Sequence, residues 1–487
     1  MIERLFRWFD ERLGAASFAR KSLRKVFPDH WSFMLGEIAL YCFLILVATE
    51  VFLTFFYVPD STPVLYHGPY RPLDGQAMSR AYQSVMRLSF EVRAGLVFRQ
   101  IHHWAALVMV GAVSLHASRV FFTGAFRKPR ELNWVLGVLL LVLTLLIGFA
   151  GYSLPDDLLS GTGLRIAYSV LLSIPLVGTW LAFLVFGGEY PSPDLLTRLF
   201  VLHVMILPAL IGAVIAAHLA ILWRQKHTNF PAPGLTEDDI RGERLWPRYA
   251  FKSVGFLMVL FGILGVLGGL VQVNPIWVYG PYSAHIVSQA SQPDWYMGWL
   301  EGAIRLFPNW EIRAFGHEIP EPFFPTVLMP GLFFTALGLW PWIERRITKD
   351  AGEHNLLNFP RDVPWRTALG AAALTYFVVL TIAGGDDVIA ANLGVSIETM
   401  TLLLRAAVLA LPVIAYAVAL YVARELRRSG VHPVRRSKIS TIRRTAEGGF
   451  ESSEIEGGGF AGHGQDEDLA PTPASGAPDA VRDPPAD

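Results

Sequence analysis

The feature that leaves this chain the fewest options is a series of long, nearly charge-free apolar runs. They lie near 33–58, 95–122, 133–153, 196–223, 254–273, 323–343, 366–384 and 400–422. Crossing an apolar layer about 30 Å thick takes roughly 20 residues of helix. Backbone amides find no water in such a layer, so runs of this kind must close their hydrogen bonds within helices. The 487 residues are 53% hydrophobic and only 17% charged, too apolar for a soluble domain of this size. The one cysteine, Cys42, excludes an internal disulfide framework, a cysteine-ligated iron–sulfur cluster and a CxxCH haem attachment. Inside an apolar run it reads as a small core thiol. No signal peptide is expected, because the stretch from Met1 to His30 is basic and aromatic and no apolar run starts before Phe33.

A ninth run, 164–188, is long but carries Arg165, Pro175, Gly178, Gly187 and Gly188. Charge decides how to read it. Segments 1–32, 224–252, 344–366 and 423–444 hold seven, six, five and eight Lys/Arg, whereas 154–195 and 385–399 hold one and none. Basic segments face the cytoplasm. With eight spans both termini are cytoplasmic, and 124–132, 224–252 and 344–366 fall inside. A ninth span would throw 224–252 to the wrong side. The expectation is an all-α, multi-pass protein of the cell membrane with eight transmembrane helices. Run 164–188 becomes an amphipathic, broken helical hairpin on the outer surface between helices three and four.

This divides the chain into a basic cytoplasmic segment (1–32), a four-helix unit (33–223), a cytoplasmic loop (224–253), a second four-helix unit (254–428) and a tail (429–487). The tail is first Arg-rich, then rich in Gly, Ala, Pro and acids. It has too little apolar surface to offset ordering entropy and is expected to be disordered. Its basic stretch suits anionic lipid rather than nucleic acid.

Histidines stand out against this background. His102 and His116 are 14 residues apart, about 40° around a helix and about 21 Å along it. In the fourth run His203 and His218 are 15 apart, about 60° around and about 22 Å along. Two helices, each with two histidines on one face at matching separation, can clamp two haems, each iron taking one imidazole from each helix. A lone intramembrane histidine is as readily a helix-to-helix hydrogen bond or a proton relay. Two matched pairs favour haem, and the four-helix unit then encloses two b haems. His103 points well away from His116 and reads as structural.

Neighbouring residues agree. Arg99, Arg119 and Arg198 flank the histidines near the ends of their runs, where a haem propionate needs a cation; interfacial snorkelling is the alternative. Gly137 and Gly151 in the third run repeat the spacing of His102 and His116 and would let a flat macrocycle approach the backbone, as close helix packing also would. Without thioether attachment the haems would be non-covalent b type. Bis-histidine iron has no open position, so it moves electrons rather than binding oxygen.

Between the fifth and sixth runs lies SQPDWYMGWLEGAIRLFP. With the four histidines, this motif resembles the cytochrome b subunit of the respiratory quinol–cytochrome c reductases, and closely the long-chain, actinobacterial-type menaquinol form. The family's Pro-Glu-Trp-Tyr motif stands here as Pro293, Asp294, Trp295 and Tyr296. GYSLP (Gly151 to Pro155) matches the start of the family's outer surface helices, and the likeness covers residues about 30 to 425. The wider histidine gap in the fourth run is similar to the photosynthetic b–f type. The resemblance implies a low-potential haem held by His102 and His203 toward the outer face, and a high-potential haem held by His116 and His218 toward the cytoplasm. It implies quinol, by resemblance menaquinol, oxidised at an outer site. One electron would pass to a Rieske iron–sulfur subunit and a c-type cytochrome subunit, the other through both haems to an inner quinone site. These partners are separate chains; a homodimeric complex and a supercomplex with a terminal oxidase are further expectations.

Quinol oxidation releases two protons, so the outer site needs an acceptor. Asp294 suits this role in an apolar, aromatic loop, although Pro-Asp-Trp-Tyr before an apolar run also reads as a helix N-cap. Tyr296 could hydrogen-bond the quinol, and Glu301 could extend a proton exit or simply be a solvated face. At the inner site WPRYAFKSVGF matches a family stretch in which a lysine and an aspartate flank the quinone. Lys252 is kept, but Ser253 replaces the aspartate, which leaves His227 as a substitute donor or an ordinary surface histidine. Glu37 reads as an interfacial carboxylate. Glu50 stands deep in the first run, where the family often has glycine, and a carboxylate at that depth is costly and usually functional. Competing readings are a ferric-reductase-type haem protein, a dehydrogenase anchor and a proton-coupled transporter using the histidines and Glu50 as a relay.

Overall fold

Leu, Val, Ile and Phe fill most positions of the long runs, and helices are what they form. The computed structural model describes residues 2–14, 16, 22–28, 30–232, 234–286, 292–314, 316–430, 439–444 and 450–455. Among these, eight helices are long and apolar enough to cross a membrane: Trp31–Thr54, Gly95–Thr123, Glu131–Tyr152, Leu195–Gln225, Leu245–Leu270, Phe324–Thr348, Pro364–Ala383 and Ile397–Arg428. They are called the first to eighth spans below. The chain is an all-α membrane protein.

The first span packs along the second and the third along the fourth, while the second also meets the third. Gly212 of the fourth span lies beside Phe43 of the first, which closes a four-helix bundle. Leu143, Leu207, Ile211 and Val214 form one part of its core, and Tyr41, Cys42, Ala105 and Met109 another. Outside the bundle the fifth span lies on the second and the sixth on the third. The seventh and eighth spans pair with each other and with the short helix Gly298–Leu306.

The basic loops gather at one end. Arg130 donates to the His354 carbonyl at 2.7 Å and to Asn355 Oδ1 at 2.8 Å. Asn229 bridges to Leu356, and Val26–Phe27 pairs antiparallel with Glu243–Arg244. Loops 124–132, 224–252 and 344–366, expected on one side, therefore touch one another. At the other end the 164–188 region is a helical hairpin, Leu158–Leu172 and Gly178–Phe186, broken at Ser173–Val177. Asp157 starts it with a capping box to Ser160, which satisfies amide groups that the first turn leaves unpaired.

The tail departs from expectation. Ile439–Arg444 and Phe450–Ile455 pair as antiparallel strands, and Ile240–Arg241 joins the first of them. Ile439, Thr441 and Ile442 are β-branched and suit an extended backbone, so disorder from 429 onward is too broad a reading. Residues 431–438, 445–449 and 456–487, where the rest of that expectation falls, lie outside the described residues.

Candidate functional site

The second and fourth spans bring His102 and His203 face to face. The rings of His102 and His203 have centroids 6.3 Å apart. Two imidazoles bonding one metal through Nε2 at about 2.0–2.1 Å each would place their centroids roughly 6 Å apart. The far nitrogens are engaged. His203 Nδ1 lies 3.0 Å from the Ile147 carbonyl, His218 Nδ1 lies 3.1 Å from the Asn133 carbonyl, and His102 Nδ1 lies 2.9 Å from Thr49 Oγ1. Donating Nδ1–H to a carbonyl leaves a bare Nε2 at His203 and His218, as on metal-binding histidines. His116 Nδ1 is buried without a partner.

The unequal spacing of the two pairs along their helices has a local cause. Leu202–Ile206 is a π-helical turn containing His203, closed by the Leu207 amide donating to the Leu202 carbonyl. Pro208 follows and has no amide to continue the α ladder. The bulge absorbs one residue, which offsets the extra residue between His203 and His218.

Glycines back three of the four rings. An added Cβ at Gly36 would sit 3.2 Å from His116 Cε1, at Gly137 3.7 Å from His218 Cε1, and at Gly151 2.3 Å from His203 Cε1. Gly36 escaped the sequence reading. The position that would complete this set is Glu50, as far along the first span from Gly36 as Gly151 is from Gly137 along the third. That side chain reaches the His102–His203 pair, with Oε2 3.2 Å from His102 Nε2 and 3.9 Å from His203 Nε2. Ligand atoms of Glu50, His102 and His203 all lie within 4.8 Å of one another. Histidines, a glycine and a cation stand at each level, a donor set that suits a porphyrin, and at the His102–His203 level the Glu50 carboxylate approaches both Nε2 atoms.

Arg99 donates to the Asn274 carbonyl at 2.8 Å and keeps Nη1 buried without a partner. Arg119 lies over the Phe33 ring, 4.0 Å from its centroid, with Nε and Nη2 unpartnered. Such orphaned donors suit an anionic group. Arg198 is different. It donates to the carbonyls of Leu184 (2.5 Å) and Phe183 (3.3 Å) and does not line the cavity at His102 and His203. It ties the fourth span to the hairpin, so the structure does not bring it to the histidines.

That cavity, about 270 Å³, is shared by His102, Glu50, Tyr152, His103, Asp294 and Tyr296. Asp294 makes no side-chain cap to the turn that follows. Instead both its oxygens lie 3.2 Å from His103 Nε2. The sequence pointed to His103 only by direction: next to His102, it must face about 100° away and toward a different neighbour. Pro293 leads into this turn. Burial, followed by the neighbouring Asp294, holds the Tyr296 phenol well above its usual value, so it remains a donor. Its hydroxyl lies against Gly148, where a Cβ would be 2.8 Å away. Trp295 and Tyr296 also line a second, apolar cavity of about 550 Å³, with Trp134, Phe334, Trp340 and Phe377.

Glu301 lines neither of these two cavities. It accepts from Arg305 Nη2 at 2.5 Å, and Arg305 Nη1 also reaches Asp386 Oδ1 (2.5 Å) and Asp387 Oδ1 (3.1 Å). Its side chain is largely buried, so it is no solvated face. At the opposite end Lys252 pairs with Glu243 at 3.0 Å. Ser253 bonds the Tyr41 hydroxyl, and the His227 ring packs 4.6 Å from Phe27. Burial, then Arg130, Lys25 and Arg119, push His227 down to about 4.

Comparison with known proteins adds a family. The cytochrome b (N-terminal)/b6/petB family model matches residues 107–281. The chain is 51% identical over 408 residues to the cytochrome bc1 complex cytochrome b subunit of Mycobacterium tuberculosis, covering 84% of this chain and 74% of that one. It is 48% identical over 414 residues to the subunit of the same name from Streptomyces coelicolor, covering 85% and 76%. A solved structure titled hyperthermophilic respiratory Complex III shares the fold, with a TM-score of 0.63 at 20% identity over 86% of this chain and 99% of that one.

Proposed function

As this chain belongs to the cytochrome b subunits of cytochrome bc1 complexes, we propose that it holds two non-covalent b haems, one between His102 and His203 and one between His116 and His218. It is a subunit of a quinol–cytochrome c oxidoreductase complex of the respiratory chain. The observation that carries the two-haem reading is the matched pair of histidine pairs. The π turn takes up the extra residue in the fourth span, and Nδ1 is hydrogen-bonded at His102, His203 and His218. Bound this way, bis-imidazole haem supplies outer-sphere electron transfer. Gly36, Gly137 and Gly151 admit the macrocycles beside the backbone, and Arg99 and Arg119 offer unpaired N–H groups to propionates.

Quinol is oxidised in the cavity of Asp294 and Tyr296. Loss of two electrons frees two protons there; the Asp294 carboxylate accepts one and water on the outer side accepts the other. His103 Nε2–H donates to this carboxylate and fixes its orientation, while Tyr296 donates a hydrogen bond to a quinol oxygen. The larger apolar cavity alongside, about 550 Å³ and lined in part by Trp295, suits an isoprenoid tail. One electron leaves for a Rieske iron–sulfur subunit and a c-type cytochrome. The other passes the histidine pairs to a quinone at the inner site near Lys252, Ser253 and His227, which completes a proton-translocating Q cycle. Glu301 and its ion-pair partners lie on the proton exit.

The quinone class is menaquinone. The complex is a homodimer that docks a terminal oxidase, in the cell membrane with both termini cytoplasmic. Residues 33–223 form the dihaem unit and 254–428 the quinone-site unit.

The test is a redox titration of the purified complex with optical spectra. Two b-type transitions are expected, one lost in His102→Ala or His203→Ala and the other in His116→Ala or His218→Ala. Absence of haem absorbance would sink the reading and leave Glu50, His102 and His203 as ligands for a bare metal ion.

A further inference from the structure

The inner site is one carboxylate short, because Ser253 stands where the family pattern has an aspartate. The fold returns one from another helix. Glu37 lies in the first turn of helix Met34–Thr54, directly after Gly36, the glycine against the His116 ring. Its side chain is engaged from two helices. The Tyr249 hydroxyl donates to Oε1, and the Tyr41 hydroxyl donates to Oε2 at 3.1 Å. Ser253 Oγ in turn bonds the Tyr41 hydroxyl. The replaced residue and the new carboxylate thus share one hydrogen-bonded chain, Ser253 to Tyr41 to Glu37.

Two further titratable groups lie beside this cluster. Lys252, one residue before Ser253, pairs with Glu243 at 3.0 Å. His227 reaches the cluster through Phe27, whose ring stacks on Tyr249 at 4.6 Å. Being neutral near pH 7, His227 has no imidazolium proton to give. Each Glu37 oxygen accepts one phenol and has a lone pair to spare for a proton.

We propose that Glu37 is the carboxyl that donates a proton to the quinone at the inner site, in place of the aspartate that Ser253 replaces; this rests on the inner-site reading above. Quinone reduction takes two electrons, which arrive one at a time by way of the His116–His218 pair, and two protons. The Glu37 O–H bond breaks as an O–H bond forms on one quinone oxygen. Cytoplasmic water supplies the proton for the other oxygen, and the Glu37 carboxylate is reprotonated from the cytoplasm. Tyr41 and Tyr249 are positioning residues that aim the carboxyl.

The experiment uses the intact complex, chemically reduced and mixed in a stopped-flow cell with 2-methyl-1,4-naphthoquinone. Oxidation of the inner b haem is followed by absorbance. Glu37→Gln, close in shape, should slow it at least about tenfold with unchanged haem spectra, and Glu37→Asp should recover part of the rate. An unsubstituted rate in Glu37→Gln, with Lys252→Met slowed, overturns the proposal and keeps the inner site. Unchanged rates in Glu37→Gln, Lys252→Met and Tyr249→Phe alike overturn the inner-site reading itself. If Glu37→Gln fails to assemble with its haems, Tyr249→Phe decides, and an unsubstituted rate there overturns the proposal.

Discussion

Replacing Gly151 by alanine puts a methyl group where the His203 ring already is. The new Cβ would lie 2.3 Å from Cε1, 2.8 Å from Nε2 and 3.0 Å from Nδ1, against ordinary contact beginning near 3.4 Å. The ring must give way by about 1 Å. It is pinned behind by the Ile147 carbonyl at 3.0 Å and by a helix whose Ile211 is fully buried. A bond of about 2 Å from His203 Nε2 to a metal, were one held there, would not survive a shift of half its own length. Overpacking itself costs about 1–3 kcal/mol, so the fold should persist while the ligand is lost. Gly137→Ala is the control, because its Cβ would be 3.7 Å from His218 Cε1 and needs no adjustment. Extracted haem per complex and reduced-minus-oxidised spectra report the outcome. Gly151→Ala should lose the His102–His203 signal and about half its haem, while Gly137→Ala keeps both. Full haem in Gly151→Ala, or equal damage in both variants, would refute the reasoning.

Three further outcomes follow from the same structure. Glu50→Gly restores the fourth small position and should keep both haem signals, whereas loss of the His102–His203 signal would make the carboxylate a required part of that site. Arg366→Leu strips the partner from buried Glu344, held at 2.7 Å, and should cost about 3–5 kcal/mol in thermal or denaturant unfolding. Arg428→Ala, at an exposed pair, should cost less than about 1 kcal/mol, and similar losses in the two would refute the contrast. Burial, opposed by a hydrogen bond from Ser79, raises the Asp156 carboxyl to about 6. The folded chain then holds this proton more tightly than the unfolded chain, so stability falls as pH rises from about 4 to about 6 and stays lower above. Asp156→Asn, which tolerates the positive φ of 57° there, should stabilise above pH 6 and do little below about 4; the reverse order in melting against pH would contradict this.

What the sequence made legible is what helical geometry alone determines. The eight spans follow from run length and composition, and the hairpin from charge placement. The two histidine pairs follow from residues sharing a face of one helix. What it hid depends on which face a neighbouring helix presents. His103 was readable as pointing elsewhere but not as pointing at Asp294. Glu37 was readable as near an edge but not as meeting Tyr249. Gly36 was lost because a glycine in an apolar run gives no sign of what lies against it. Arg198 has the right height and the wrong neighbours. The tail strands were averaged away, since Ile439–Arg444 is β-branched while the composition around it is not.

The π turn at His203 also bears on how related chains should be aligned. Two ligands on one membrane helix must keep their rise and their direction, and the number of residues between them is free to vary if a bulge takes up the difference. A one-residue insertion beside Pro208 is then silent at the site. A search pattern that demands a fixed interval between the fourth-span histidines would discard chains whose sites superpose on this one, and a gap placed there in an alignment marks a turn of backbone, not a change of function.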